Sequence, residues 1–179
     1  MCGHDTVQSP LVVRRHLGYL SATSGLPARL SGREVLTLFA GLQGVVDEAT
    51  AVARAIERFG ITEFADRRVD QLSTGMRQRV RIACAAVHTP PLLILDEPTA
   101  GLDIVAADAL LDDILLLKQQ GSSVVFSTHV LREAARVCDR IAVIAEGEIR
   151  AMGTLDELLV QTGTTALDDA FLALVKPTS

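Results

Sequence analysis

Two adjacent carboxylates close the run Leu92-Leu93-Ile94-Leu95-Asp96-Glu97-Pro98. An uninterrupted apolar stretch of this length suits a strand buried on both faces, as in a parallel sheet. Such a strand delivers Asp96 and Glu97 to the carboxyl edge of the sheet, where the ligand crevices of open α/β folds lie. Two acids side by side repel each other unless a cation or a proton transfer justifies them. Mg²⁺ with a phosphate substrate supplies both reasons: one carboxylate serves the metal, and the other orients or deprotonates an attacking water. A carboxylate pair capping a helix after the strand has the same composition, so the pair alone leaves both readings open.

Three further groups belong with that pair. In Leu72-Ser73-Thr74-Gly75-Met76, a serine and a glycine fall at the first turn of a helix. Backbone N–H groups without partners and the helix dipole make such a turn an anion site, and glycine lets the backbone approach a phosphate. Any serine-capped helix with an early glycine looks the same, so this signal is weak on its own. Ser127-Thr128-His129 directly follows an apolar run, Val124-Val125-Phe126. That order assigns the imidazole to a strand's carboxyl end, where it can meet a terminal phosphate. Between these groups, Ala100-Gly101-Leu102-Asp103 reads as a tight turn carrying an exposed acid. Arg77, Arg79 and Arg81 read as a solvated helix face rather than a phosphate clamp. Cys84 falls on an apolar helix face and reads as core. His4, His16 and His88 have no metal-ligand spacing.

Elements must hold these groups in place, and the spacing of apolar residues predicts them. Leu17-Gly18-Tyr19-Leu20 reads as a strand end leading into a loop over Ser21 to Pro27. Ser31 with Glu34 forms a capping box that starts a helix, which Gly41 and Gly44 end. A second helix runs from about Asp47 to Phe59 with Gly60 behind it. A third follows Ser73 and stops before Pro90-Pro91. Helices are then predicted over Ile104 to Gln119 and Val130 to Val137. Strands follow at Val124 to Phe126, Ile141 to Ile144 and Glu148 to Arg150, the last two joined by a turn at Glu146-Gly147. Helical patterns at Leu155 to Val160 and Ala166 to Val175 close the chain. Alternating strands and helices indicate an α/β layered sheet, with the all-helical stretch from Ser31 to His88 as an insertion.

Composition narrows the classes. The chain has 179 residues, 49% hydrophobic and 22% charged, which suits one packed domain and argues against wholesale disorder. A net charge of −5 argues against a sequence-independent nucleic-acid binder, and no nucleic-acid partner is expected. No run approaches the ~20 apolar residues of a membrane span, and the first residues lack the pattern of a signal peptide. Cys2, Cys84 and Cys138 form no paired motif, which fits a reducing cytosol.

Order and spacing then point to a family. LSTGM, LLILDEPTAGLD and STHV, in that order in one chain, resemble the ATP-binding cassette (ABC) family. On that resemblance LSTGM is the signature, LLILDEP the Walker B strand, AGLD the D-loop and STHV the switch-histidine loop. The stretch LGYLSATSGLPARLSGREVL is similar to the drug-export and sodium-export subgroup. The resemblance implies a P-loop NTPase-like (RecA-like) parallel sheet with an inserted helical subdomain, at about 31–88. Residues 89–179 would carry the catalytic core from Walker B to the C-terminus. It also implies ATP and Mg²⁺ as cofactors, a membrane-spanning transporter subunit and a second ABC ATPase domain as partners, and a cytoplasmic place on the inner face of the membrane.

Site roles carry over residue by residue on the same footing. Asp96 would orient Mg²⁺ through water, Glu97 would polarise the attacking water, and His129 would sense the γ-phosphate. Ser73, Thr74 and Gly75 would meet the partner subunit's ATP, and Asp103 would communicate across the dimer. Two departures accompany the match. No GxxxxGK[ST] phosphate loop is present, the only lysines being Lys118 and Lys176. The family's Q-loop glutamine would fall at Ala22. The resemblance therefore reads as a domain lacking its N-terminal strands and phosphate loop, and without that loop the chain by itself is expected to be inactive. MCGHDTV would match a strand of the form v-x-G-x-D-v that follows the loop. Such a chain would leave Leu92–Leu95 without a neighbouring strand, with unpaired ladder groups costing about 1–3 kcal/mol each and a poorly folded isolated domain as the outcome. An alternative is a non-hydrolysing module that donates its signature in trans to an intact partner. A cassette acting outside transport, in DNA repair or translation, is disfavoured by the lack of coiled coils or a second cassette.

Overall fold

Capping chemistry sets where the helices begin. In the computed structural model, which describes residues 1–21 and 25–176, Ser31 and Glu34 exchange both bonds of a capping box at the start of α2 (Gly32–Leu42). Asp47 caps α3 (Glu48–Arg58) through Thr50 N–H, and Ser73 caps α4 (Thr74–Ala86) through Met76 N–H. Asp103 caps α5 (Ile104–Gln119). Gly41 lies inside α2 rather than ending it, while Gly44 takes a left-handed φ of 72° two residues past the last helical residue. The chain divides into two compact units, Met1–Ser127 and Thr128–Ser179.

The first unit holds a parallel sheet in the order β1 (Leu17–Leu20), β2 (Leu92–Asp96), β3 (Ser123–Ser127). Its central strand is hydrogen-bonded on both sides, Leu17 to Leu20 against Leu92 to Leu95 and Leu92 to Asp96 against Ser123 to Ser127. The expected open flank of Leu92–Leu95 is thus corrected: the two strands that follow and precede it in space close both sides. Leu93 and Leu95 are fully buried, and the helices α4 and α5 pack on β1 and β3 respectively. Gly18 permits the close approach of β1 to α4, because a Cβ there would lie 2.2 Å from the Ala85 carbonyl oxygen. The opposite sheet face carries the aligned row Tyr19, Ile94, Val125, whose outer members are 57% and 56% exposed.

The N-terminal residues depart from the expected strand. Cys2 and Gly3 both have positive φ, and Asp5 Oδ1 accepts from the N–H groups of Val7 and Gln8 at 2.8 Å each. That side-chain turn competes with extended backbone and leads into a short helix, α1 (Pro10–Arg15), with its proline at the first turn.

The second unit contains α6 (Leu131–Val137), an antiparallel hairpin of β4 (Ile141–Ala145) and β5 (Glu148–Gly153), then α7 (Leu155–Thr162) and α8 (Leu167–Val175). The hairpin turns at Glu146-Gly147, both at positive φ, as the right-handed twist of paired strands favours. It forms a two-stranded sheet of its own. Ala134, Ile141, Ala151, Leu158 and Leu167 make this unit's core.

Candidate functional site

Parallel register builds the first half of the site. Asp96 pairs opposite Ser127, so both side chains leave the same sheet face at its carboxyl edge. Ser127 Oγ donates to Asp96 Oδ1 at 2.7 Å, and the same hydroxyl accepts from Glu97 N–H at 3.0 Å. Glu97 N–H also points at the Ser127 carbonyl, 3.2 Å away. The strand ends abruptly, because Glu97 adopts φ of 46°, a left-handed conformation that costs a side-chain-bearing residue about 1–2 kcal/mol. Beyond it, Ala100 N–H returns to the Glu97 carbonyl and Leu102 N–H to that of Thr99, closing two tight turns. Asp96 and Glu97 are half-buried, whereas Pro98 and Thr99 are buried.

This half suits Mg²⁺ in one respect: a half-buried carboxylate oriented by a hydroxyl is an oxygen donor of the type that ion takes, with waters and phosphate oxygens filling its other positions. No cluster of three or more His, Cys, Asp or Glu residues able to hold a metal by themselves occurs among the described residues.

The second half lies at the start of α4. Ser73, Thr74, Gly75 and Met76 line a cavity of about 1020 Å³ together with Gly101, Leu102, Asp103 and the first turn of α5. Ser73 and Thr74 are exposed. A Cβ on Gly75 would sit 3.5 Å from Ala106 Cβ. Arg77 braces the turn, its guanidinium donating to the Leu72 carbonyl at 2.5 Å and to Thr74 Oγ1 at 3.2 Å. Asp103 is exposed, with Oδ1 accepting from Ala106 N–H at 2.9 Å as the cap of α5. The structure therefore brings Ser73, Thr74, Gly75 and Asp103 to one cavity and Asp96 and Glu97 to one strand end. His129 is exposed in the second unit, beside Thr128, whose hydroxyl donates to Glu133 Oε2 at 2.9 Å. Ala22 lies outside the described residues.

Two contributions escape a reading by local pattern. Ser127 belongs to the STH run, yet its double role at Asp96 and Glu97 depends on register. Gln78, only 5% exposed, donates from Nε2 to the Pro98 carbonyl at 2.5 Å. The reading of the α4 arginines as a solvated face is corrected: Arg77, Arg79 and Arg81 are half-buried, and the guanidinium groups of Arg77 and Arg81 donate to the carbonyls of Leu72 and Ser21. Cys84 is core as expected, and burial pushes its thiol up to about 12.

Comparison with known proteins follows the same lines. The family described as "ABC transporter" matches residues 3–100. The "ABC transporter ATP-binding protein NatA" of Bacillus subtilis is 33% identical over 174 residues, covering 96% of this chain and 71% of that protein. The "Daunorubicin resistance ATP-binding protein DrrA3" of Streptomyces coeruleorubidus is 37% identical over 169 residues, 93% of this chain and 53% of that one. Among solved structures, "Structure of ATP binding subunit of ABC transporter" superposes with a TM-score of 0.86 at 34% identity, covering 98% of this chain and 75% of that one. A dimeric ATP-binding cassette, MJ0796, described in a post-hydrolysis state bound to ADP and Pi, shares the fold with a TM-score of 0.73 at 24% identity, covering 86% of this chain and 68% of that one.

Proposed function

The chain belongs to the ABC transporter family, and from that premise we propose that it is the ATP-binding and ATP-hydrolysing subunit of an exporter whose membrane-spanning part is a separate subunit. The single observation that carries the reading is the coexistence of the Asp96–Glu97 pair at a parallel strand's carboxyl end with the Ser73–Gly75 cavity. Mg²⁺ and ATP, when bound, supply phosphate charge neutralisation and the leaving group. Asp96, oriented by the Ser127 hydroxyl, would hold the ion through water. Glu97 orients the attacking water and takes its proton. His129 meets the terminal phosphate. Ser73, Thr74 and Gly75 receive the phosphates of a nucleotide carried by a second ATPase domain, and Asp103 reports across that dimer. The helical subdomain is taken as about 31–88 and the catalytic core as 89–179. No single helix among the described residues is long and apolar enough to cross a membrane. A cytoplasmic site on the inner membrane face fits a subunit that works beside a spanning partner.

The test is Mg²⁺-dependent ATP hydrolysis by the protein purified from its own cells. Glu97→Gln should keep ATP binding and lose turnover by a hundredfold or more. Wild-type protein that binds no ATP overturns the proposal. A second reading rests on the Ser73–Gly75 cavity alone. In it, the chain donates its signature in trans to an intact cassette. That reading expects no turnover by the chain itself, stimulation of an intact ATPase partner, and loss of the stimulation in Ser73→Arg.

A further inference from the structure

Gln78 and Arg81 lie one turn apart on α4, and their side chains join two loops. Gln78 Nε2 donates to the carbonyl of Pro98, the residue after Glu97, at 2.5 Å. Gln78 Oε1 accepts from Arg81 Nη1 at 2.8 Å. Arg81 Nη2 in turn donates to the carbonyl of Ser21, the first residue after β1. The relay thus runs Ser21, Arg81, Gln78, Pro98, and bridges the carboxyl ends of two adjacent parallel strands.

Its placement bears on Glu97. A left-handed glutamate persists only where its surroundings over-determine it. Ser127 holds the Glu97 N–H from one side. Gln78 holds the next residue's carbonyl from the other, and Pro98, with its fixed φ, passes that restraint on with little play. The arrangement is not the one that maximises stability. Arg81 Nε is buried without a partner among the described residues, and burial lowers the guanidinium from its usual range. Burying an amide and a cation to reach two carbonyls costs free energy, whereas an apolar pair would fill the same space without that penalty.

We propose that Gln78 and Arg81 are positioning residues that hold Glu97 in its strained conformation and tie it to Ser21 at the carboxyl end of β1. The role of Glu97 itself rests on the ATPase reading above; the relay does not. The test is residue-resolved amide hydrogen exchange by NMR on the full chain without nucleotide, with the N–H groups of Glu97 and Ala100 as probes and those of the β2 interior as reference. Arg81→Ala should lower protection at both probes about tenfold and leave the reference amides unchanged. Gln78→Met should do so at least as strongly, and the double variant should go no further than Gln78→Met alone, because the two act in series. Arg81→Lys, which retains a donor, should recover part of the protection. Unchanged probes in Arg81→Ala, additive losses in the double variant, or a uniform loss that includes the reference amides overturn the proposal. Should Gln78→Met fail to fold, the Arg81→Ala and Arg81→Lys pair still decides. Turnover is measured separately, so a failed relay and a failed ATPase reading give different results.

Discussion

The end of β2 and the start of α4 solve opposite problems with the same kinds of residue. At the start of α4, Ser73 has extended backbone, caps the helix through its own hydroxyl, and lies exposed beside an open cavity. Nothing there is strained, and the function proposed for it, receiving phosphate, uses groups that any helix start leaves available. At the end of β2, Glu97 is held in left-handed backbone by a serine 30 residues away and by an amide from another helix. A binding surface tolerates ordinary geometry, whereas a group that must meet one water at one angle is worth a conformational cost. The difference teaches that substitution at Ser73 should cost the fold a satisfied cap, whereas glycine at Glu97 should relieve a backbone penalty.

The largest effect expected is at Glu97. Glu97→Ala and Glu97→Gly both remove the carboxylate, and both should reduce ATP turnover by a hundredfold or more. They should differ in stability. With φ of 46° at this position, alanine keeps the backbone penalty and glycine relieves it, by about 1 kcal/mol. The glycine variant should therefore melt higher than the alanine variant by about 2–4 °C. Equal melting temperatures would mean that the strand end is not strained, and the contrast with α4 would fall.

How much of this was legible in the sequence follows the same division. Local rules predict α4 from Ser73, the boxes at Ser31 and Glu34, and α5 from Ile104 to Gln119, because a cap and its helix lie within a few residues of each other. The apolar run Leu92–Leu95 likewise announces a central parallel strand, but not that only one of its faces is covered: Leu93 and Leu95 are buried, while Leu92 and Ile94 are half-buried. The bracing of Glu97 is not legible, since Ser127 reaches it through strand register and Gln78 through helix packing. The arginines of α4 mislead for a similar reason: helical spacing shows a basic face but not that Ser21 and Leu72 present carbonyls to it. The N-terminal turn is a conflict of local signals, in which Asp5 bonds its own backbone in place of a strand ladder.

A second contrast sharpens the first. Asp113 on α5 is a half-buried carboxylate outside both halves of the site, and its Oδ2 is buried without a partner among the described residues. Burial pushes its pKa up to about 6, with Arg79 opposing and Asp112 adding to the rise. An acid raised in the folded state contributes most below its unfolded pKa, near 4. That contribution is lost as pH rises from there through about 6. Asp113→Asn should thus stabilise the chain at pH 7.5 by about 1–2 kcal/mol after allowance for partial exposure, and by nothing at pH 4. Thermal melts across that range check the sign. If the gain persists at pH 4, the cost at Asp113 is not ionisation. The cost at Glu97 differs in kind, because it is conformational and should be flat over the same range.

The smallest effect tests the unstrained half. Removing the Ser73 hydroxyl leaves Met76 N–H without its 3.2 Å acceptor, and Ser73→Ala should cost about 1 kcal/mol, within the usual range for a lost N-cap. Ser73→Gly should cost only a few tenths, because glycine admits water to the same N–H groups. The order alanine below glycine is the same as at Glu97, but the reference differs. At Ser73 the wild-type residue should melt highest of the three, since its geometry satisfies the helix. At Glu97 the glycine variant outranks alanine by relieving backbone that no side chain favours. A Ser73→Ala variant as stable as wild type would mean that the cap contributes nothing to the fold. The serine would then be held there by its ligand alone, and the start of α4 would join the end of β2 as a site whose residues answer to chemistry rather than to stability.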